Sequence, residues 1–295
     1  MEQEPGKKRK KRNAVISGIF FVAFLACVIW IIVYFVNLKK ADNELSQLKE
    51  SYVTEQTQEE ASTDADDEAA VSEKGEDGET AEPQTDGRVQ LSLDGYTDAK
   101  KDIDFDALKE ENADIYSWIT IPGTVIDYPI VQREDELDYY LNHNLDGSTG
   151  YPGCIYTQNL NSTDWMDNNT VIYGHNMKNG SMFAGLHSYR DPEFFEEYPY
   201  VYIYTETETR VYQIFAAYEV TDAHLLLTYD TENKDSFGWY LQGIMDNEET
   251  LSDHYNKSLE LNSDDKIISL ETCISSKPTM RYLVQAVLVA RAENE

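Results

Sequence analysis
A mainly β domain, closed or nearly closed into a barrel with a few flanking helices, is the fold class that this 295-residue sequence predicts, preceded by one transmembrane helix and an acidic disordered stalk. Three observations predict it. Residues 14–36 are an unbroken apolar run, residues 55–86 hold thirteen Asp/Glu against the single Lys74, and from Val89 onward β-branched and aromatic segments alternate with turn residues. Seven or eight such segments with few helices favour closure, because a closed barrel leaves no exposed strand edge.

The apolar run AVISGIFFVAFLACVIWIIVYFV suits a bilayer core that needs ~20 apolar residues. A cleaved signal peptide has a shorter apolar region of about 7–15 residues and a small-residue cleavage site, and neither is found in this run. KKRKKR precedes the run and only Lys39 and Lys40 follow it, so the positive-inside bias puts the N-terminus in the cytoplasm. The expected organisation is a basic cytoplasmic tail (1–13), a single-pass anchor in the plasma membrane (14–36), an extracellular stalk or linker (37–88) and an extracellular folded domain (89–295).

Leu45, Leu48 and Tyr52 at helical spacing prolong the anchor helix, whereas the tract from Glu55 to Asp86 is too charged and too poor in aliphatics to bury a core. Within the domain, DIDFDALKEENADIYSWI spaces Phe105, Leu108 and Ile115 for a short amphipathic helix capped by Asp104. Strands are expected in TVIDYPIV, GCIYTQ, NTVIYG, YVYIYT, RVYQIFAAYEV, DKIISLETC and RYLVQAVLVA, with a hairpin turn around Glu206 to Thr209. SMFAGLHSY and DPEFFEEY read as short helices outside the sheet, and NKDSFGWYLQGIMDNEE as an amphipathic helix presenting Phe237, Tyr240, Leu241 and Ile244.

Charge excludes one class of partner. Residues 89–295 carry thirteen Lys/Arg against thirty-seven Asp/Glu, and such a surface repels phosphate backbones, so no nucleic acid is expected. No metal constellation stands out and no cofactor is implied. Of three cysteines, Cys27 lies in the apolar run, while Cys154 and Cys273 face the outside. The plain structural reading pairs those two as a disulfide, although a domain of this size has core enough without a staple.

Alternation in DKIISLETC puts Ser269, Glu271 and Cys273 on one face and Leu270 and Thr272 on the other, so Cys273 ends a strand with a polar loop beyond it. If the next strand returns as a hairpin, Arg281 reaches the same rim. Nucleophilic cysteine chemistry needs a thiolate, a proton carrier and a partner for the oxyanion. His143, His187, His224 and His254 have bland surroundings, whereas His175 follows the strand NTVIY and opens a polar loop.

On these residues a resemblance emerges. NTVIYGHNMKNGSMFAGL, IYSWITIPGTVIDYPIVQ and SLETC with Arg281 eight residues on resemble three signatures of class B sortases, in order across residues 104–290. The resemblance implies an eight-stranded sortase-type β-barrel and a membrane-anchored cysteine transpeptidase on the cell surface. Such an enzyme cleaves a C-terminal Leu-Pro-x-Thr-Gly or Asn-Pro-Gln-Thr-Asn signal of a surface protein or pilin after Thr. It passes the acyl group to an amine of peptidoglycan, of its lipid-linked precursor or of a pilin. It implies Cys273 as nucleophile, His175 as general acid and base, and Arg281 as stabiliser of the oxyanion or the bound signal.

One departure matters. Glu271 stands where the family usually has a small hydroxyl, and a carboxylate there disfavours the thiolate unless Lys277, Arg281 or a protonated His175 compensates. Glu271 and Thr272 could alternatively contact substrate. Two other functions remain open at this stage: a non-catalytic adhesion module on a stalk, and a cysteine hydrolase of the same fold.

Overall fold
In the computed structural model, residues 5–55, 89–96 and 99–294 are described; most of the expected acidic stalk and the first four residues lie outside them. The chain forms two compact units, residues 1–48 and 49–295. The first unit consists of most of helix α1 (Pro5–Tyr52). Its stretch from Gly18 is long and apolar enough to cross a membrane, and Phe20, Phe24, Trp30 and Phe35 project outward with more than 60% exposure.

The second unit is built on β1 (Val53–Glu55), β2 (Lys101–Ile103), β3 (Ile115–Thr120), β4 (Asp127–Gln132), β5 (Ile155–Thr157), β6 (Asn169–Tyr173), β7 (Tyr200–Thr205), β8 (Glu208–Thr221), β9 (His254–Tyr255), β10 (Ile267–Ile274) and β11 (Lys277–Glu293). β1 and β2 pair only with each other. The others follow the order β11-β10-β6-β5-β4-β3-β7-β8-β9, and β11 also pairs with β8. The sheet therefore closes into a barrel of eight strands, with two-residue β9 appended to β8. Two contacts in the ring are parallel, β4 with β5 and β6 with β10.

Among the described residues the α-helices are α1, α2 (Phe105–Glu111), α3 (Pro192–Glu197), α4 (Leu225–Thr228) and α5 (Lys234–Met245). Asp104 caps α2 by accepting from the Ala107 N–H, as expected. Ile115 does not extend that helix; Asn112 ends it in an extended conformation, and Ile115 opens β3 instead. Phe183–Arg190 forms a 3-10 helix ahead of α3, which Asp191 caps.

α5 presents Phe237, Tyr240, Leu241 and Ile244 to the outer barrel wall, where they pack with Phe215, Ile267, Leu283 and Val287. Burying each such side chain stabilises by about 1.5–3 kcal/mol. The contact also has a polar pin. Gln285 on β11, fully buried, donates to Tyr240 Oη (2.7 Å) and Ser269 Oγ (2.7 Å) and accepts from Tyr218 Oη (3.0 Å). Gln285→Ala leaves three buried groups short of a partner and opens a cavity. A loss of ~2–5 kcal/mol is expected, read as a lower urea midpoint at unchanged slope.

Candidate active site
β6 and β10 are parallel neighbours, with Tyr173 beside Glu271 in the register. Two residues further on come His175, just past the end of β6, and Cys273, still within β10. The chain needs Gly174 between Tyr173 and His175, because a Cβ there would sit 2.6 Å from both the Ile155 side chain and the buried Phe183 ring. From the other side β11 pairs antiparallel, with Arg281 directly opposite Cys273. Opposed residues in an antiparallel ladder share a face. The topology thus brings Cys273, His175 and Arg281 to one rim, from strands almost 100 residues apart.

At this rim the β10–β11 ladder is irregular. Ile274 pairs with Lys277 and Cys273 with Arg281, so residues 278–280 are extra on β11. Such a bulge accommodates Pro278, which has no N–H to give a ladder. Its carbonyls hold the arginine, since Arg281 Nη1 donates to Pro278 O (3.1 Å) and Met280 O (3.0 Å). Arg281 Nε lies 3.6 Å from Glu271 Oε1. Lys277 does not compensate Glu271; it pairs with Glu219.

Cys273 is exposed, and both it and buried Cys154 are free thiols, so the disulfide reading fails. Cys154 is committed elsewhere, its Sγ 3.4 Å from His143 O and its thiol pushed far up by burial. His175 Nε2 lies 2.7 Å from Leu141 O and its ring packs beside Tyr151 at 5.0 Å. A carbonyl only accepts, so Nε2 carries a proton, and in the neutral ring Nδ1 is the free lone pair.

Glu271 occupies the cysteine's own face two residues before it, with its side chain 14% exposed. Burial pushes its carboxyl up to about 7 against the opposing pull of Arg281. Near neutrality it therefore bears only part of a negative charge, and it opposes a neighbouring thiolate less than the sequence implies. Thr272 is turned the other way. It is 2% exposed and donates to Gly174 O at 2.8 Å, so it braces the strand end and its hydroxyl is not available to a substrate.

Beside Glu271 the face is aromatic and polar. Tyr173 stacks on Tyr156 at 5.4 Å and meets His224 at 6.4 Å. Tyr173 Oη and His224 Nδ1 are buried without a hydrogen-bond partner, an uncommon state for buried polar atoms. The sequence offered some sign of Tyr173, which shares a motif with His175, and none of His224, whose partner Gln158 lies 66 residues away.

The sortase domain family matches residues 119–289. Sortase B of Listeria monocytogenes is 36% identical over 187 residues, covering 62% of this chain and 73% of that protein. Sortase B of Staphylococcus aureus is 27% identical, covering 63% and 74%. The crystal structure of Clostridium perfringens sortase B superposes with a TM-score of 0.57 at 33% identity, covering 63% of this chain and all of that one.

Glu271 gives a pH signature. A carboxyl with a folded-state pKa of about 7, raised from an ordinary 4.5, keeps its proton longer in the folded chain. The stability linked to it is full below about pH 4.5 and is lost as pH rises through about 7. Thermal melts of Glu271→Gln and the parent should therefore diverge in the variant's favour between pH 5 and 8, by an amount on the order of 2 kcal/mol. Parallel curves over that range would remove the argument.

Proposed function
The chain belongs to the sortase family of cysteine transpeptidases, and on that premise we propose that Cys273, His175 and Arg281 carry the acyl transfer. The observation that supports this most is the register, β6 beside β10 and Cys273 opposite Arg281. The Cys273 thiol passes its proton to the free Nδ1 of His175, and the thiolate attacks the carbonyl carbon of the signal's Thr to form a tetrahedral oxyanion. Arg281 reaches it by leaving the Pro278 and Met280 carbonyls, since guanidinium prefers a charged acceptor. His175 gives a proton from Nδ1 to the departing amine, leaving a thioester. It then takes one from the incoming amine, which attacks the thioester and releases the Cys273 thiolate, leaving His175 protonated again.

The substrate in this reading is a surface protein or pilin ending in a sorting signal of the Leu-Pro-x-Thr-Gly or Asn-Pro-Gln-Thr-Asn kind. The acceptor is an amine of peptidoglycan, its lipid-linked precursor or a pilin. We read α1 as the single-pass anchor, with the N-terminus cytoplasmic, because an exposed apolar helix of this length is stable only in lipid. The residues after the anchor, with the domain at 89–295, then face the wall.

Full-length protein in detergent, given peptides of both signals with and without an amine acceptor, tests the reading. Ligated product is expected only with acceptor, and hydrolysis alone would favour the hydrolase alternative. Cys273→Ala should yield neither product, and Arg281→Ala should lose ~10²–10³ in kcat. Residual ligation by Cys273→Ala would sink the assignment.

A further inference from the structure
The carbonyl of the cysteine residue itself is gripped by two side chains. Along the parallel β6–β10 contact, Gly174 N–H donates to Glu271 O at 3.2 Å. One step on, Cys273 O is met by side-chain donors, Asn176 Nδ2 at 3.0 Å and His187 Nε2 at 3.1 Å. Asn176 also reaches Ser275 Oγ at 3.3 Å and approaches His187 Nε2 at 2.9 Å. It is the immediate neighbour of His175.

The state of His187 follows from its surroundings. Arg190 Nε, a donor, lies 3.3 Å from His187 Nδ1, so Nδ1 accepts and the proton sits on Nε2, aimed at Cys273 O. Burial holds the ring's pKa below its ordinary value against the opposing pull of the hydrogen bond to the Cys273 carbonyl, with Arg190 adding to the burial effect and Glu219 opposing it. It stacks on Tyr282 at 5.1 Å, and the Arg190 guanidinium sits 4.4 Å from the same ring. Arg190 is itself held by Glu219 at 2.9 Å, which also pairs with Lys277 in the β10–β11 turn region. Every member of the chain Glu219–Arg190–His187–Cys273 is thereby oriented by the one before it.

We propose that Asn176 and His187 are positioning residues that clamp the Cys273 backbone to the loop bearing His175. The clamp supplies what the irregular strand end lacks. Cys273 is exposed and lies next to a bulge, where a strand frays, and a misplacement of 1 Å at a reacting centre costs ~10²-fold. The proposal rests on the assignment of Cys273 and His175 made above, and it adds a second pair that touches neither substrate nor thiol.

Full-length His187→Ala, His187→Gln and Asn176→Ala in detergent test it, with melting curves as the control for folding. A glutamine can donate its amide N–H to Cys273 O and accept from Arg190 through its oxygen, so it reproduces both bonds. Against an Asn-Pro-Gln-Thr-Asn peptide, His187→Ala and Asn176→Ala should lose ~10–10²-fold in kcat with KM nearly unchanged. His187→Gln should recover most of that loss. The pH profile of Cys273 alkylation by iodoacetamide should shift in His187→Ala and return in His187→Gln. Equal impairment of the alanine and glutamine variants, or a parental kcat and alkylation profile in His187→Ala, would overturn the clamp. If the parent does not turn over this peptide, the sorting-signal reading fails for it while the alkylation profiles still decide the clamp.

Discussion
The parallel contact between β6 and β10 is the constraint on which everything else in the folded domain depends. Antiparallel neighbours can meet through a tight turn, but parallel ones need a long connection, and here 93 residues separate Tyr173 from the start of β10. Into that connection the chain places the 3-10 helix, α3, the β7–β8 hairpin and α5. The ring must close for the contact to exist, and the β8–β11 pairing closes it. Once it does, two strand ends that run in the same direction finish at the same edge. The residues that carry the imidazole and the thiol are then brought to one edge of the barrel, before any side chain chooses a rotamer.

The second consequence concerns charge. At a formal net charge of −31, the chain has few cations to spare, and two of the described ones near the rim are paired to a single carboxylate. Lys277 and Arg190 both serve Glu219. Arg281 is left with backbone carbonyls and a distant contact to Glu271. Glu271 avoids the full penalty of a buried carboxylate by holding its proton to about pH 7. Ion pairing and protonation thus divide the work of making an acidic rim tolerable for an anionic sulfur.

Much of this was legible from local patterns. Period-two alternation in DKIISLETC and a hairpin return were enough to bring Arg281 to the rim of Cys273, whereas its place directly opposite depends on the three extra residues 278–280, which the local pattern does not show. The buried stripe of α5 and the Asp104 cap are equally local signals. Ile115 misled because it falls seven residues after Leu108, a helical interval, while the break at Asn112 depends on that residue's amide bonding to Tyr140 Oη and Leu145 O. His187 reads as an ordinary residue of a short helix, and its importance comes from a carbonyl 86 positions away. Alternation already put Thr272 and Glu271 on opposite faces, but the Gly174 carbonyl that takes the Thr272 hydroxyl lies 98 positions away. What escaped the sequence is what long-range register decides.

The resting position of Arg281 bears on how it can serve both rest and reaction. In the unliganded chain its guanidinium donates to two neutral carbonyls of its own bulge and stands 3.6 Å from a carboxyl that is partly protonated near neutrality. None of these is a strong competitor for a cation. Hydrogen bonds between ionised partners are roughly twice as strong as neutral ones, so an oxyanion formed at Cys273 outbids them. A fully ionised Glu271 would hold the arginine harder and raise the cost of its release. By keeping the carboxyl buried, the fold holds the cation at the rim without committing it, and the hydroxyl-to-carboxylate departure at position 271 becomes compatible with the proposed role of Arg281.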